Sequence, residues 1–161
     1  MELAKRWGVS EDKAAVAGLL HDCSRWMSGK QMIARAKKLK MPIGEVELSE
    51  PKLFHAELSA HIAKADFGVK DKDILSAIQR HTLGSVSMSV LDKIIYLADH
   101  VEPERDYAGV EDVRRLAFKD LNKAVIESIN SMIRALLIRG LPIHPQTIET
   151  RNGLLLEAQR N

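Results

Sequence analysis

One cysteine, Cys23, stands alone in the chain, and no CxxC occurs. An internal disulfide framework, a thiolate metal site and a dithiol redox motif are therefore excluded, and Cys23 reads as a small apolar residue. Long apolar runs are also missing: none approaches the roughly 18 to 20 residues that cross a bilayer. Met1 is not followed by a basic region and a hydrophobic signal core, so the expectation is a soluble, cytoplasmic protein with no membrane partner. There is no excess of charge of one sign. With 24 basic against 22 acidic side chains the net charge is +2, far below the basic field that non-specific nucleic-acid binding needs. No nucleic-acid partner is expected, whereas a small anionic ligand is compatible with that balance. Repeats, low-complexity tracts and flexible linkers are lacking as well, which leaves one domain over residues 1–161. At 45% hydrophobic, 161 residues suffice for a core of its own.

Sustained β-branched alternation is absent too, and apolar positions recur instead at intervals of three and four almost throughout. The expected fold class is all-α, a compact helical bundle. Ser10, followed by Glu11 and Asp12, caps a helix expected over residues 11–26, which Ser28 and Gly29 break. Further helices are expected over residues 30–40, 51–66, 71–81, 89–101, 111–139 with a break near Asp120, and 145–159. Pro42 ends the second, because the residue before a proline is steered away from helix, and the polar stretch 45–50 reads as a loop. Gly68, Gly84, Gly109 and Gly140 fall at or beyond helix ends, where C-terminal caps sit.

Two polar spots demand an account. In "AAVAGLLHD" the run over residues 14–20 is apolar on every face, the mark of a helix packed inside the domain, and His21 and Asp22 follow it directly. In "VLDKIIYLADHVEPERD" Asp99 ends a second strongly apolar helix, one turn before Pro103. Buried carboxylates need compensation, and one metal ion supplies it for both. Asp22 and Asp99 offer oxygen and His21 a nitrogen, a mixed donor set that suits iron, manganese, nickel or zinc. A hydrogen-bonded core histidine or a helix-end salt bridge is the alternative for the same residues. Adjacent helical residues point about 100 degrees apart, so His21 and Asp22 share an ion only if it lies close to the helix surface.

Other histidines differ by context. His55, on the side of Leu58 and Ile62, and His81, at the end of its helix, are placed to face a site; His61 and His100 read as surface or supporting residues. Arg25 lies one turn after His21, and Arg105 follows the Asp99 helix. Guanidinium groups there could make bidentate contacts to phosphate, or be solvated surface arginines.

Taken together, "LLHDCSRW", "FHAELSAH", "IQRHT" and "IIYLADHVEPERD" resemble the HD superfamily of metal-dependent phosphohydrolases. The later segments "DHVEPERDYAGVEDVRRLA" and "IHPQTIETRNGLL" are similar to its YqeK-like branch, the symmetrical diadenosine tetraphosphate hydrolases. The resemblance covers almost the whole chain. It implies the compact helical bundle of the HD domain, with a divalent metal, usually iron, held by an early histidine, the HD pair and a late aspartate. His21, Asp22 and Asp99 match three of these and become the expected catalytic and metal-holding residues. It further implies that Arg25, His55, His81, Thr82, Arg105 and the segment Pro142, Ile143, His144, Pro145, Gln146 and Thr147 approach the nucleotide. His55 and His81 are alternatively placed to serve a second ion.

The early histidine of that family lies on a long first helix, whereas no histidine precedes His21 here. The expectation is an N-terminally incomplete domain with a weakened metal site and a tendency of chains to associate. The implied reaction is hydrolysis of diadenosine tetraphosphate at the centre of its bridge to two ADP. A nucleotide-binding HD module with little catalysis, and an HD phosphohydrolase for another nucleotide, remain alternatives. The HDxxED pattern of alarmone hydrolases and the GYP triplet of cyclic dinucleotide hydrolases are absent.

Overall fold

The computed structural model describes residues 1–160, and among these it contains helices and turns but no strand. Ten α-helices follow in order: α1 (Glu2–Arg6), α2 (Glu11–Leu20), α3 (Gly29–Lys38), α4 (Glu45–Ser49), α5 (His55–Ala65), α6 (Lys72–Arg80), α7 (Val90–Val101), α8 (Val110–Ala117), α9 (Leu121–Ile138) and α10 (Pro145–Ala158), with a short 3₁₀ turn, Pro51–Phe54, leading into α5. Side-chain caps start most of the longer helices. Ser10 accepts from the Lys13 amide, Asp71 from Asp73 and Ile74, and Asp120 from Lys123, which is the break expected inside 111–139. Ser28 with Gln31 and Ser89 with Asp92 form full capping boxes. The polar stretch 45–50 holds the short helix α4, where a loop is expected from sequence.

Helix α7 is the axis of the molecule. Residues 91–97 are all buried, so every face of this helix meets another element. Ile94, Tyr96 and Leu97 join Val113, Val125, Ile129 and Leu154 in one core, which brings α8, α9 and α10 against one side. Leu91 and Ile95 join Ala63, Ala77 and Ile78 in a second core with α2, α5 and α6. Each fully buried aliphatic side chain here contributes about 1.5 to 3 kcal/mol. A third, smaller cluster of Met32, Ala36, Phe54 and Leu58 seats α3 on the 3₁₀ turn and α5.

The expectation of an interior helix thus holds for α7 and fails for α2. Only Ala14 and Ala17 of α2 are buried, and Leu19 is 82% exposed, because α2 lies over α6 and α7 by one face, where Val16 and Leu20 pack half-buried beside the alanines. Nor does α2 run to residue 26. It stops at Leu20, and hydrogen bonds from Cys23 to Leu20, Arg25 to Asp22 and Met27 to Ser24 tighten the chain into successive turns. Tertiary bonds hold that departure: the Ser24 hydroxyl donates to the His55 carbonyl (2.8 Å), and the Ser24 amide donates to Ser59 Oγ (3.1 Å). Cys23, half-buried, reaches the Ser59 carbonyl, and burial pushes its thiol upward from the ordinary value.

Candidate metal centre and nucleotide groove

The turns after α2, the start of α5, the end of α6 and the end of α7 meet at one point. There His21, Asp22, His55, His81 and Asp99 converge. The three imidazoles are aimed alike: the Nδ1 of His21 donates to the Gly18 carbonyl (2.7 Å), that of His55 to Lys52 (2.6 Å) and that of His81 to Ile78 (2.6 Å). A carbonyl only accepts, so each Nδ1 carries the proton and each neutral ring presents a lone pair at Nε2.

Those lone pairs crowd the Asp22 carboxylate. The Nε2 of His55 lies 3.3 Å and that of His81 3.5 Å from Oδ1, while His21 Nε2 lies 3.6 Å from Oδ2. Asp22 Oδ1 is buried with no hydrogen-bond partner, and the Nε2 atoms of His55 and His81 are 2.9 Å apart. Thr82 donates its hydroxyl to His55 Nε2 (3.0 Å). Acceptors packed this closely repel one another unless a cation sits among them. Burial works against ionisation of Asp22, yet its polar neighbours, among them the Arg25 guanidinium at 2.9 Å, overcome it and hold its carboxyl well below the usual carboxylate range. Burial pushes the His55 imidazole down, which favours its neutral, metal-binding form.

These spacings fit a transition metal. Donors bound at about 2.0 to 2.2 Å lie about 3 to 4 Å from one another, and His21, Asp22 and His81 offer donor atoms all within 4.8 Å. Of the three ligands expected from sequence, His21 and Asp22 are in this group, and Asp99 stands at its edge. Asp99 Oδ1 is 4.0 Å from His21 Nε2 and accepts from Arg105 at 3.0 Å. His81, which sequence assigns to the nucleotide or alternatively to a second ion, is a member of the donor cluster. It is fully buried, and only the fold reveals that its ring turns inward.

A groove of about 670 Å³ opens from this centre. Arg25, His55, Thr82, Asp99 and Arg105 line its inner end, which places five of the expected residues together. Arg25 reaches Asp22 Oδ2 (2.9 Å), and Arg105 bridges Asp99 and Glu102, so both guanidinium groups are held at the rim by the carboxylates beside the centre. His100 lines the groove as well. Its Nδ1 donates to the Tyr96 carbonyl (2.8 Å), its ring stacks on Tyr96, and burial pushes it down. His61 is not among these residues.

The segment 142–147 lies elsewhere. His144 caps α10 by accepting from the Gln146 amide and pairs with Glu47 (2.9 Å), and Gln146 donates to the Gly84 carbonyl (2.6 Å). His144 and Gln146 line a separate cavity of about 420 Å³ with Phe54, Glu57 and Gln79, and Thr147 is buried. Pro142, Ile143, His144, Pro145, Gln146 and Thr147 are not among the residues that line the groove beside the centre; the segment docks the start of α10 on Glu47 and on the loop after α6 and faces the second cavity. The outer groove wall belongs to α9, whose Ser131, Met132, Arg134, Ala135, Ile138 and Arg139 were not singled out from sequence. Arginines on an amphipathic helix read as a solvated face, and no motif distinguishes these.

Comparison with known proteins agrees with the geometry. The HD domain family model matches residues 1–104. The symmetrical bis(5′-nucleosyl)-tetraphosphatase of Bacillus subtilis is 39% identical over 155 residues, covering 96% of this chain and 83% of that protein. Its namesake from Halalkalibacterium halodurans is 39% identical over 157 residues, covering 98% and 83%. A solved structure from Clostridium acetobutylicum, named a "predicted HD superfamily hydrolase involved in NAD metabolism", superposes with a TM-score of 0.92 at 36% identity over 97% of this chain and 82% of that one. With its paired His21 and Asp22 among converging imidazoles, the chain belongs to the HD-domain hydrolases and, within them, to the family of the symmetrical bis(5′-nucleosyl)-tetraphosphatases.

Proposed function

We propose that this chain hydrolyses diadenosine tetraphosphate at the central bridging oxygen, releasing two ADP, at a divalent-metal centre that takes iron. The observation that carries the reading is the buried, unpartnered Oδ1 of Asp22 facing imidazole lone pairs, beside a groove that His55, Asp99, Arg25 and Arg105 line. His21, Asp22 and Asp99 would hold one ion. Asp22 Oδ1, His55 and His81 make a second donor set on the other oxygen of the same carboxylate. When bound, such an ion makes water acidic enough to attack near neutral pH and polarises a phosphoryl oxygen.

The chain's own residues do the rest. Nδ1 bonds to carbonyls fix each ring, so no reorganisation is needed when substrate arrives. Arg25 and Arg105 flank the centre on opposite carboxylates and neutralise the inner phosphates, whose charge grows on the leaving oxygen as the central P–O bond breaks. Water adds its oxygen to one inner phosphorus, the bridging oxygen leaves with the other, and the two ADP carry equal halves. Iron is chosen over manganese, nickel or zinc by the family resemblance, since imidazole and carboxylate donors accept all four.

Chromatography of products tests this. The parent chain is expected to give ADP alone from diadenosine tetraphosphate, and not AMP with ATP. Asp99→Ala is expected to lose about a hundredfold or more in turnover and to lower bound metal by elemental analysis. Unchanged turnover in that variant refutes its role, and ADP binding without hydrolysis by the parent favours a silent nucleotide-binding module.

A further inference from the structure

Between α7 and α8 the chain crosses residues 102–109 without regular structure, and this loop brings Arg105, Tyr107 and Ala108 to the groove. Little of its own holds it there. Residues 102–106 are all exposed, so no apolar side chain anchors that stretch in the core. Its backbone closes two local turns, from the Arg105 amide to the Glu102 carbonyl (2.9 Å) and from the Val110 amide to the Tyr107 carbonyl (3.0 Å). Only at Tyr107 does the loop turn inward, with its hydroxyl buried beside Ser128 of α9.

The fixing contacts come from one side chain of the next helix. Arg114, one turn into α8, donates Nε to the Val101 carbonyl (3.1 Å) and Nη2 to the carbonyls of Glu102 (2.7 Å), Arg105 (2.9 Å) and, at the limit, Pro103 (3.5 Å). Its Nη1 faces Glu111. Val101 is the last residue of α7, and the final carbonyls of a helix have no partner within it. One planar cation thus closes the helix that carries Asp99 and grips the carbonyl of the residue that bonds to Asp99. An ammonium could not do the same, because a point charge on a flexible stem lacks the fixed fork of donors. The neighbouring Arg115 shows the contrast: it is exposed and pairs with Asp112 of its own helix.

Arg114 itself does not line the groove, so any effect on the chemistry has to pass through the loop. Arg105 meets Asp99 twice, at Oδ1 (3.0 Å) and at the backbone carbonyl (3.1 Å), and Glu102 once (2.8 Å). A guanidinium held in this way works by placement, and a shift of about 1 Å can cost on the order of a hundredfold in rate. We propose that Arg114 is a positioning residue for Arg105: it fastens the loop backbone to the end of α7, so that the Arg105 guanidinium stands ready at the inner phosphates. This rests on the tetraphosphate reading above and adds to it a residue that touches neither substrate nor metal.

The test is a double-mutant cycle in the full, metal-loaded chain, read by turnover of diadenosine tetraphosphate and by calorimetry with pyrophosphate. Arg114→Ala is expected to lower kcat/KM and pyrophosphate affinity about tenfold each, with bound metal unchanged. Arg114→Lys should recover less than half of that loss on a logarithmic scale, and, because it keeps a cation beside Glu111, it carries the same test if the alanine variant proves unstable. In an Arg105→Ala background either change should cost no more than about a further twofold, since the group being positioned is gone. Arg115→Ala should match the parent throughout. Losses that multiply in the double variant overturn the proposal, as do full rescue by lysine, an Arg115→Ala loss equal to that of Arg114→Ala, or metal content falling in step with activity. The two readings fail separately. A parent that binds pyrophosphate with the cycle coupled but leaves diadenosine tetraphosphate intact loses the tetraphosphate reading and keeps the loop's role, whereas a parent that releases ADP with no coupling in the cycle loses the role of Arg114 alone.

Discussion

The pair Arg80 and Asp92 ties α6 to α7, and breaking it from either side should give unequal losses. Asp92 is completely buried, accepts from Arg80 Nη1 at 2.8 Å and from the Ser89 amide at 2.9 Å, and leaves its Oδ1 without a partner. Arg80 keeps about a third of its side chain in water and also donates to the Ser87 carbonyl. Arg80→Ala strands a carboxylate that solvent cannot reach, which costs about 3 to 5 kcal/mol. Asp92→Ala frees an arginine that can turn outward, so its cost is nearer the lost capping box and ion pair, about 2 to 3 kcal/mol. At about 2 to 4 °C per kcal/mol for a chain of this size, melting temperatures fall by roughly 10 °C for Arg80→Ala and less for Asp92→Ala. The double variant Arg80→Met with Asp92→Leu should recover most of the loss, since apolar replacement of both partners removes the desolvation burden. Calorimetry of the four proteins, with urea unfolding as a second measure, decides it. A larger loss for Asp92→Ala than for Arg80→Ala, or a double variant that loses the sum of both, refutes the reasoning. The pair matters to the centre as well: His81 follows Arg80 directly, and Asp99 lies two turns beyond Asp92 on α7.

Two further outcomes are expected. Burial raises the Glu57 carboxyl above its ordinary 4.5, so its contribution to stability is present below that value and lost as pH rises through the folded value; Glu57→Gln should therefore raise the urea midpoint at pH 7.5 and leave it near the parent's at pH 4, and two parallel pH curves would contradict this. Gly84 has φ of +71°, and a Cβ there would lie 2.5 Å from Thr150 Cγ2, so Gly84→Ala should cost about 2 kcal/mol or more and loosen α10, read as faster amide exchange in that helix.

Much of the architecture was readable beforehand because helical periodicity and caps are local properties. Ser10, Asp120 and the apolar α7 announce themselves within a few residues. What misled is equally physical. The run before His21 is apolar on every face, yet only two alanines of α2 are fully buried, with Val16 and Leu20 half-buried beside them, since nothing in a window of residues says how many neighbours a helix will have. The early stop at Leu20 depends on Ser24 reaching His55 and Ser59, more than thirty residues away. At the site, the HD pair and Asp99 were legible as buried-looking charges at the ends of apolar helices. Which of the two roles open to His81, phosphate contact or a second ion, its ring is turned toward was not, because that depends on how the ring sits after the last residue of α6. The segment 142–147 opens α10 and is braced on Glu47 and Gly84, a placement set by partners far away in the chain.

Each of His21, His55 and His81 takes its anchoring carbonyl from the residue three places earlier in its own chain segment. An imidazole fastened within a single turn acquires its bearing as soon as that turn winds, before the distant parts of the molecule come together. Assembly of the centre then amounts to docking pieces that are already pointing correctly. Binding an ion then relieves the crowding of acceptors around Asp22 without first having to turn the rings.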